Sequence, residues 1–175
     1  EQIEAALGDG SRWSVHLRYS AEHEALETAG GIAQALPLLE DEGRSEVFVA
    51  VSGDVYADFD YATLDTRAKA LNALATPGMH LVMVPNPAFH PSGDFGLVDG
   101  TLSLDAQPRF TFGNIGLYDT RMFRDLPRGT RRALTPYYRE TIARGLASGE
   151  VYEGLWENVG TPAQLQTLDQ RLSAR

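Results

Sequence analysis

One run of residues constrains the fold of this chain more than any other: Val47-Phe48-Val49-Ala50-Val51-Ser52-Gly53-Asp54. Its unbroken apolar stretch, β-branched and aromatic residues among it, reads as a strand buried on both faces of a parallel sheet. Gly53 permits a sharp turn at the strand's carboxyl end, and Asp54 follows it. In open α/β sheets ligands bind outside the carboxyl ends of the strands, which puts this carboxylate where chemistry is found. A carboxylate with free oxygens there suits a hard cation such as Mg²⁺, held by one or two carboxylates plus substrate phosphates. The local alternative is that Asp54 caps the turn that follows, since Asp is common in turns.

With 175 residues and 43% hydrophobic content, the chain suits one domain over residues 1–175 rather than two. Long apolar runs are absent, so neither a membrane span nor a signal peptide is expected. Cysteine is absent too, which excludes disulfides, thiolate metal sites and cysteine nucleophiles and fits a cytoplasmic protein. A net charge of -9 and a pI near 4.8 argue against a nucleic-acid partner, which needs a basic footprint. Anionic small molecules remain open to an acidic protein if Mg²⁺ and local donors neutralise their phosphates.

Strand and helix signals alternate along the chain. Residues 1–7 look like a helix that starts without a cap and ends at Gly8-Asp9-Gly10. Trp13, Val15, Leu17 and Tyr19 alternate with polar residues, a period of two that predicts a strand. Gly30-Gly31 reads as a glycine loop opening a helix over 32–36. After the strand ending at Asp54, a helix is expected within 59–74 and a short buried strand over 81–84. Asp99-Gly100, between residues 95–98 and 101–104, is a strong hairpin signal. Residues 109–118 read as a strand broken by Gly113 and Gly116, 134–146 as a helix and 150–156 as a further strand. Thr161, Pro162 and Gln164 together start the last helix as a capping box. The whole is an α/β fold: a mixed, mostly parallel sheet flanked by helices, with an inserted β-hairpin.

Several residues have both a chemical and a structural reading. Gly30-Gly31 before a helix lets backbone amides approach a base or phosphate closely, or simply enters the helix. Gly93-Asp94 leads from a turn into a strand. His90 is a candidate base or ligand, but the spacing indicates no Ser or Asp partner for it. Asn158 sits at a strand-to-helix turn, where its amide oxygen either completes a metal site or makes an Asx turn.

Their order along the chain carries more. Glu27-Thr28-Ala29-Gly30-Gly31-Ile32, then Ser52-Gly53-Asp54, then Gly93-Asp94-Phe95, then Trp156-Glu157-Asn158-Val159-Gly160-Thr161-Pro162 resembles the sugar-1-phosphate nucleotidyltransferase family. A narrower resemblance, to its uridylyl-transferring members in bacterial peptidoglycan recycling, rests on three stretches. They are residues 8–13, residues 26–31 and Pro85-Asn86-Pro87…His90-Pro91…Gly93-Asp94-Phe95. The resemblance covers nearly the whole chain.

It implies a Rossmann-like nucleotide-diphospho-sugar transferase fold, UTP and a sugar 1-phosphate as substrates, and Mg²⁺ as cofactor. By the same resemblance Gly30 and Gly31 lie against the uracil, Thr28 belongs to the nucleotide-binding set, and Ser52 stands near the nucleoside. Asp54 and Asn158 are the metal ligands, and Asp54 is the catalytic residue. Gly93, Asp94, Asn114 and Gly116 hold the sugar. Two departures stand out. The family's glycine-rich phosphate loop with its Pro-Lys pair has no match here, where Lys69 is the sole lysine, so the chain is expected to lack that N-terminal segment and to be inactive alone. At 158 an Asn stands where the family has an Asp. Transfer onto another hexose 1-phosphate is the neighbouring alternative, and a nucleotide-sugar binding or regulatory protein without turnover the more distant one.

Overall fold

The computed structural model describes residues 2–40 and 46–174; the expected domain limits at residues 1 and 175 lie outside the described residues. Helices and strands alternate in this order: α1 (Gln2–Leu7), α2 (Glu27–Leu39), β1 (Val47–Val51), β2 (Val55–Ala57), α3 (Asp65–Asn72), β3 (Met79–Val84), β4 (Phe95–Val98), β5 (Thr101–Ser103), β6 (Arg109–Asp119), α4 (Thr135–Ala143), β7 (Ala147–Val151), β8 (Trp156–Asn158) and α5 (Pro162–Ser173). Six strands form one sheet in the order β1-β6-β3-β7-β5-β4, whose far end folds back so that β4 also pairs with the start of β6. Strands β2 and β8 make a separate antiparallel ribbon.

Strand β3 is buried throughout, with apolar residues on both faces and His80 as its one polar side chain. Met79, Leu81 and Met83 point into a core shared with α2 and α4, where Ala33, Tyr118 and Ile142 also pack. Val82 joins Leu64, Leu71, Ile115 and Leu117 beneath α3 on the other face. His80 faces that second layer and is 1% exposed. Its Nδ1 lies 2.8 Å from Ser148 Oγ, while its buried Nε2 has no hydrogen-bond partner among the described residues.

The sheet is mixed, as expected, but among the described residues only β3 and β7 pair in parallel. The opening strand is the clearest correction. Among the described residues β1 pairs with β6 alone, antiparallel, at an edge, and Val49 and Val51 are each 42% exposed. An apolar run without alternation does not distinguish a central strand from an edge strand. Because β6 runs opposite to both of its neighbours, β1 points the same way as β3. The carboxyl ends of β1, β3 and β7 therefore share one border of the sheet.

The alternation over 13–19 makes no strand. Ser11–Trp13 is a short 3-10 turn, and Val15 is 52% exposed. An alternating segment becomes a strand only where a neighbouring edge takes up its amides, and none does so among the described residues. The helix expected from 32 begins earlier, at Glu27, and takes both glycines into its first turns. Gly30 needs its missing side chain there, because a Cβ would stand 2.3 Å from the Thr130 carbonyl oxygen. Its N–H, one of the donors a helix start leaves free, goes to the Arg132 carbonyl at 3.1 Å. The expected strand over 150–156 divides into the end of β7 and the start of β8 around Glu153 and Gly154. The hairpin forms as expected, with Asp99 at φ 49° and Gly100 at φ 77°, the left-handed pair its turn requires. Thr161 caps α5 by accepting from the Gln164 N–H at 3.3 Å.

Candidate functional site

The site grows from an irregularity in β6. Val82 pairs with Ile115, but the next residue, Met83, pairs with Phe112, so Gly113 and Asn114 bulge out of the ladder. Asn114 sits at φ 57°, a left-handed conformation that Asn tolerates better than most side chains. The bulge frees two carbonyls, and each takes up a neighbour. The Asn114 carbonyl accepts from Ser52 N–H at 3.1 Å, just beyond the end of β1. The Gly113 carbonyl accepts from the indole Nε1–H of Trp156 at 2.8 Å, at the start of β8.

Gly53 and Asp54 form a turn closed by the Val55 N–H on the Ser52 carbonyl at 3.3 Å. The Asp54 side chain accepts no hydrogen bond among the described residues, so it does not cap that turn. The turn delivers the chain into the β2–β8 ribbon, where Val55 stands opposite Asn158. Residues 54 and 158 are thus brought to one place, at the border of the sheet where the carboxyl ends of β1 and β3 emerge. One exposed carboxylate and one amide oxygen make a donor set that fits Mg²⁺, a cation that keeps waters and substrate phosphates in its shell. No cluster of three or more His, Cys, Asp or Glu suited to a metal occurs among the described residues.

Beside the bulge lies a cavity of about 350 Å³. Phe89, Phe95, Phe112, Tyr138 and Trp156 supply its apolar walls, and His90, Asp94, Asn114, Thr135 and Asn158 its polar groups. Mostly apolar walls with a few convergent polar groups describe a small-molecule site of ordinary size. Asp94 is fixed within it: one carboxylate oxygen accepts from Phe112 N–H at 2.8 Å and the other lies 3.1 Å from His90 Nε2. The partner that spacing did not indicate for His90 is therefore Asp94. Asn86 anchors the loop that carries both, donating to the carbonyls of Pro91 at 3.2 Å and Arg109 at 3.0 Å.

The expected site residues divide into four groups. Asp94, Asn114 and Asn158 line the cavity, with Ser52 and Asp54 at its border through the bonds above. Gly93 lies behind it, at φ 61°, where a Cβ would come within 2.7 Å of Asn86 Oδ1 and 3.0 Å of the Phe110 carbonyl. Gly116 does not reach the cavity. It lies inside the sheet, under the folded-back ring of Tyr118, whose hydroxyl is 3.0 Å from that of Tyr138 in the cavity wall. Burial pushes the Tyr138 hydroxyl up to about 12 and raises that of Tyr118 well above its ordinary value, so both stay neutral. Thr28 is exposed and Gly31 half-buried on the first turns of α2, with Gly30 committed to packing on residues 130–132. Sequence reasoning did not single out Phe89, Thr135, Tyr138 or Trp156 as lining residues. The indole beside Asn158 was the available signal for the last.

Comparison with known proteins follows the geometry. The nucleotidyl transferase family profile matches residues 1–101. N-acetylmuramate alpha-1-phosphate uridylyltransferase of Neisseria meningitidis is 39% identical over 169 residues, covering 94% of this chain and 71% of that protein. Its namesake from Caulobacter vibrioides is 31% identical over 156 residues, covering 86% and 63%. A mannose-1-phosphate guanylyltransferase of Mycobacterium tuberculosis is 29% identical, and the chain spans 45% of its length. Among solved structures, HddC of Yersinia pseudotuberculosis superposes with a TM-score of 0.71 at 13% identity, covering 98% of this chain and 74% of that one. These structures share the nucleotide-diphospho-sugar transferase fold. No helix among the described residues is long and apolar enough to cross a membrane.

Proposed function

The chain belongs to the nucleotidyl transferase family of sugar-1-phosphate nucleotidyltransferases, and from that premise we propose that it transfers a uridylyl group from UTP to N-acetylmuramate 1-phosphate. The products are UDP-N-acetylmuramate and pyrophosphate, a step of peptidoglycan recycling in the cytoplasm. A phosphate oxygen of the sugar 1-phosphate attacks the α-phosphorus of UTP, and the bond from that phosphorus to the pyrophosphate oxygen breaks. The observation that carries this reading is the convergence on one bulge: Gly113 and Asn114 hold Trp156 and Ser52, and so bring Asp54, Asn158 and the cavity with Asp94 to one border of the sheet.

Each residue then has a role. Asp54 and Asn158 hold Mg²⁺, which supplies positive charge to the nucleotide phosphates. Ser52 stands at the nucleoside, with Thr28 and Gly31 on the first turns of α2 and Gly30 setting that helix against residues 130–132. Asp94 and Asn114 face the sugar, and Gly93 lets the loop turn tightly enough to deliver Asp94. Gly116 acts at one remove, by making room for Tyr118, which supports Tyr138. Little covalent help is asked of the protein in such a transfer; positioning and charge stabilisation carry it.

Pyrophosphate release by the full-length protein, measured with UTP, dTTP and GTP against N-acetylmuramate 1-phosphate and glucose 1-phosphate, tests the reading. UTP with N-acetylmuramate 1-phosphate is expected to be the best pair. A better guanylyl or thymidylyl transfer would replace it with the neighbouring alternative. The amide at 158, a weaker metal ligand than a carboxylate, favours a binding protein without turnover as the second reading. UTP binding with no pyrophosphate release from any pair would establish that one.

A further inference from the structure

The cavity beside the bulge contains a histidine for which the transfer reaction has no use. Its nucleophile is a phosphate monoester, whose second ionisation lies near pH 6, so a neutral solution already presents it deprotonated. A general base at His90 would be redundant. His90 is nevertheless held firmly: its main-chain N–H reaches the Pro87 carbonyl at 2.9 Å, and its Nε2 lies 3.1 Å from Asp94 Oδ1. Asp94 is itself fixed by the Phe112 N–H, so the ring is oriented from the sheet outward.

Charge makes the arrangement informative. Among the described residues neither arginine nor lysine lines this cavity, and His90 is its one side chain able to carry positive charge. With Nε2 donating to Asp94, Nδ1 has no partner among the described residues. A ligand carboxylate at Nδ1 would be met by the ring's second nitrogen, and an imidazolium that donates to two carboxylates makes charge-assisted hydrogen bonds to both. A neutral hydroxyl in the same place gains only an ordinary hydrogen bond. We propose that His90, oriented by Asp94, is the residue that selects a sugar 1-phosphate bearing a carboxylate over the same sugar without one. This rests on the reading of the cavity as the sugar subsite.

The test compares N-acetylmuramate 1-phosphate with N-acetylglucosamine 1-phosphate, the same ring without the lactyl carboxylate, in the full-length protein with UTP. Wild type is expected to favour the acidic sugar, and His90→Gln to lower the acidic-to-neutral ratio of kcat/KM by about tenfold or more through KM. His90→Lys, which restores a cation, should recover most of that ratio. An unchanged ratio in His90→Gln, with or without a uniform loss on both sugars, overturns the proposal, because it marks His90 as structural. Equal or better use of the neutral sugar by wild type also overturns it, and leaves the nucleotidyl transfer standing. Turnover of neither sugar, with UTP bound normally in a calorimetric titration, removes the subsite reading and the proposal with it. Should His90→Gln melt early, His90→Lys decides: loss of preference in a folded His90→Lys protein sinks the idea.

Discussion

Val159 donates its main-chain N–H to the carbonyl of Asp54 at 2.7 Å. The bond joins a turn after the first strand of the sheet to a loop at the start of the last helix. It holds Asp54 by its main chain and leaves the carboxylate free, as the proposed metal-binding role requires.

Asp54→Ala should therefore separate fold from chemistry. The exposed side chain makes no hydrogen bond among the described residues, so thermal unfolding should shift by no more than about 1 kcal/mol. Loss of its hold on Mg²⁺ should reduce turnover on the order of a hundredfold or more. Unfolding and pyrophosphate release measured on one full-length sample give both numbers. Normal melting with turnover near wild type would remove Asp54 from the mechanism.

Asn158→Asp puts a second carboxylate opposite Val55. If the side chain at 158 is a ligand, the Mg²⁺ concentration needed for half-maximal turnover should drop. An unchanged Mg²⁺ requirement would reduce Asn158 to a residue of the turn.

How far the sequence disclosed this site depends on distance along the chain. The turn at Gly53-Asp54, the hairpin at Asp99-Gly100 and the Thr161 cap are local, set by φ values and by donors a few residues away, and each was legible. The strand over 13–19 and the central position of Val47–Val51 depended on partners elsewhere in the chain, and pattern alone names no partner. Gly113 read as a break in a strand; that its neighbour's carbonyl would hold Ser52, and its own Trp156, is a long-range fact. Gly116 shows the same limit, since only the fold reveals that Tyr118 needs its room.

Gly93→Ala tests the loop behind the cavity. A Cβ there meets the Phe110 main chain at 3.0 Å with φ at 61°, which should cost about 2 kcal/mol. Because the loop delivers His90 and Asp94, KM for the sugar phosphate should rise more than KM for UTP. Equal changes in the two constants would show that the strain is not passed to Asp94.

His80 gives a prediction in pH. Burial lowers its pKa from 6.5, and Arg67 adds to that, while Glu150 opposes both from 3.6 Å away. The unfolded chain thus takes up the proton first, so stability should fall as pH drops below 6.5 and level off below the folded-state value. Denaturant midpoints across this range should fall less steeply in His80→Gln than in wild type. Parallel profiles in the two proteins would assign the slope to other groups.

The bulge at Gly113 and Asn114 contains two residues, an even number, and that count has a consequence for how the gene can change. Side chains in a strand alternate between faces, so an even insertion leaves Phe112 and Ile115 facing their own layers on either side of it. Losing one of the pair would invert the phase of residues 109–112, exchanging the layers that Phe112 and the buried Thr111 face. Losing both would restore phase and straighten the strand, with the site's two carbonyl anchors gone. Length variation here should therefore be tolerated by the fold only in steps of two, and the shorter form would be a sheet whose border holds neither Ser52 nor Trp156.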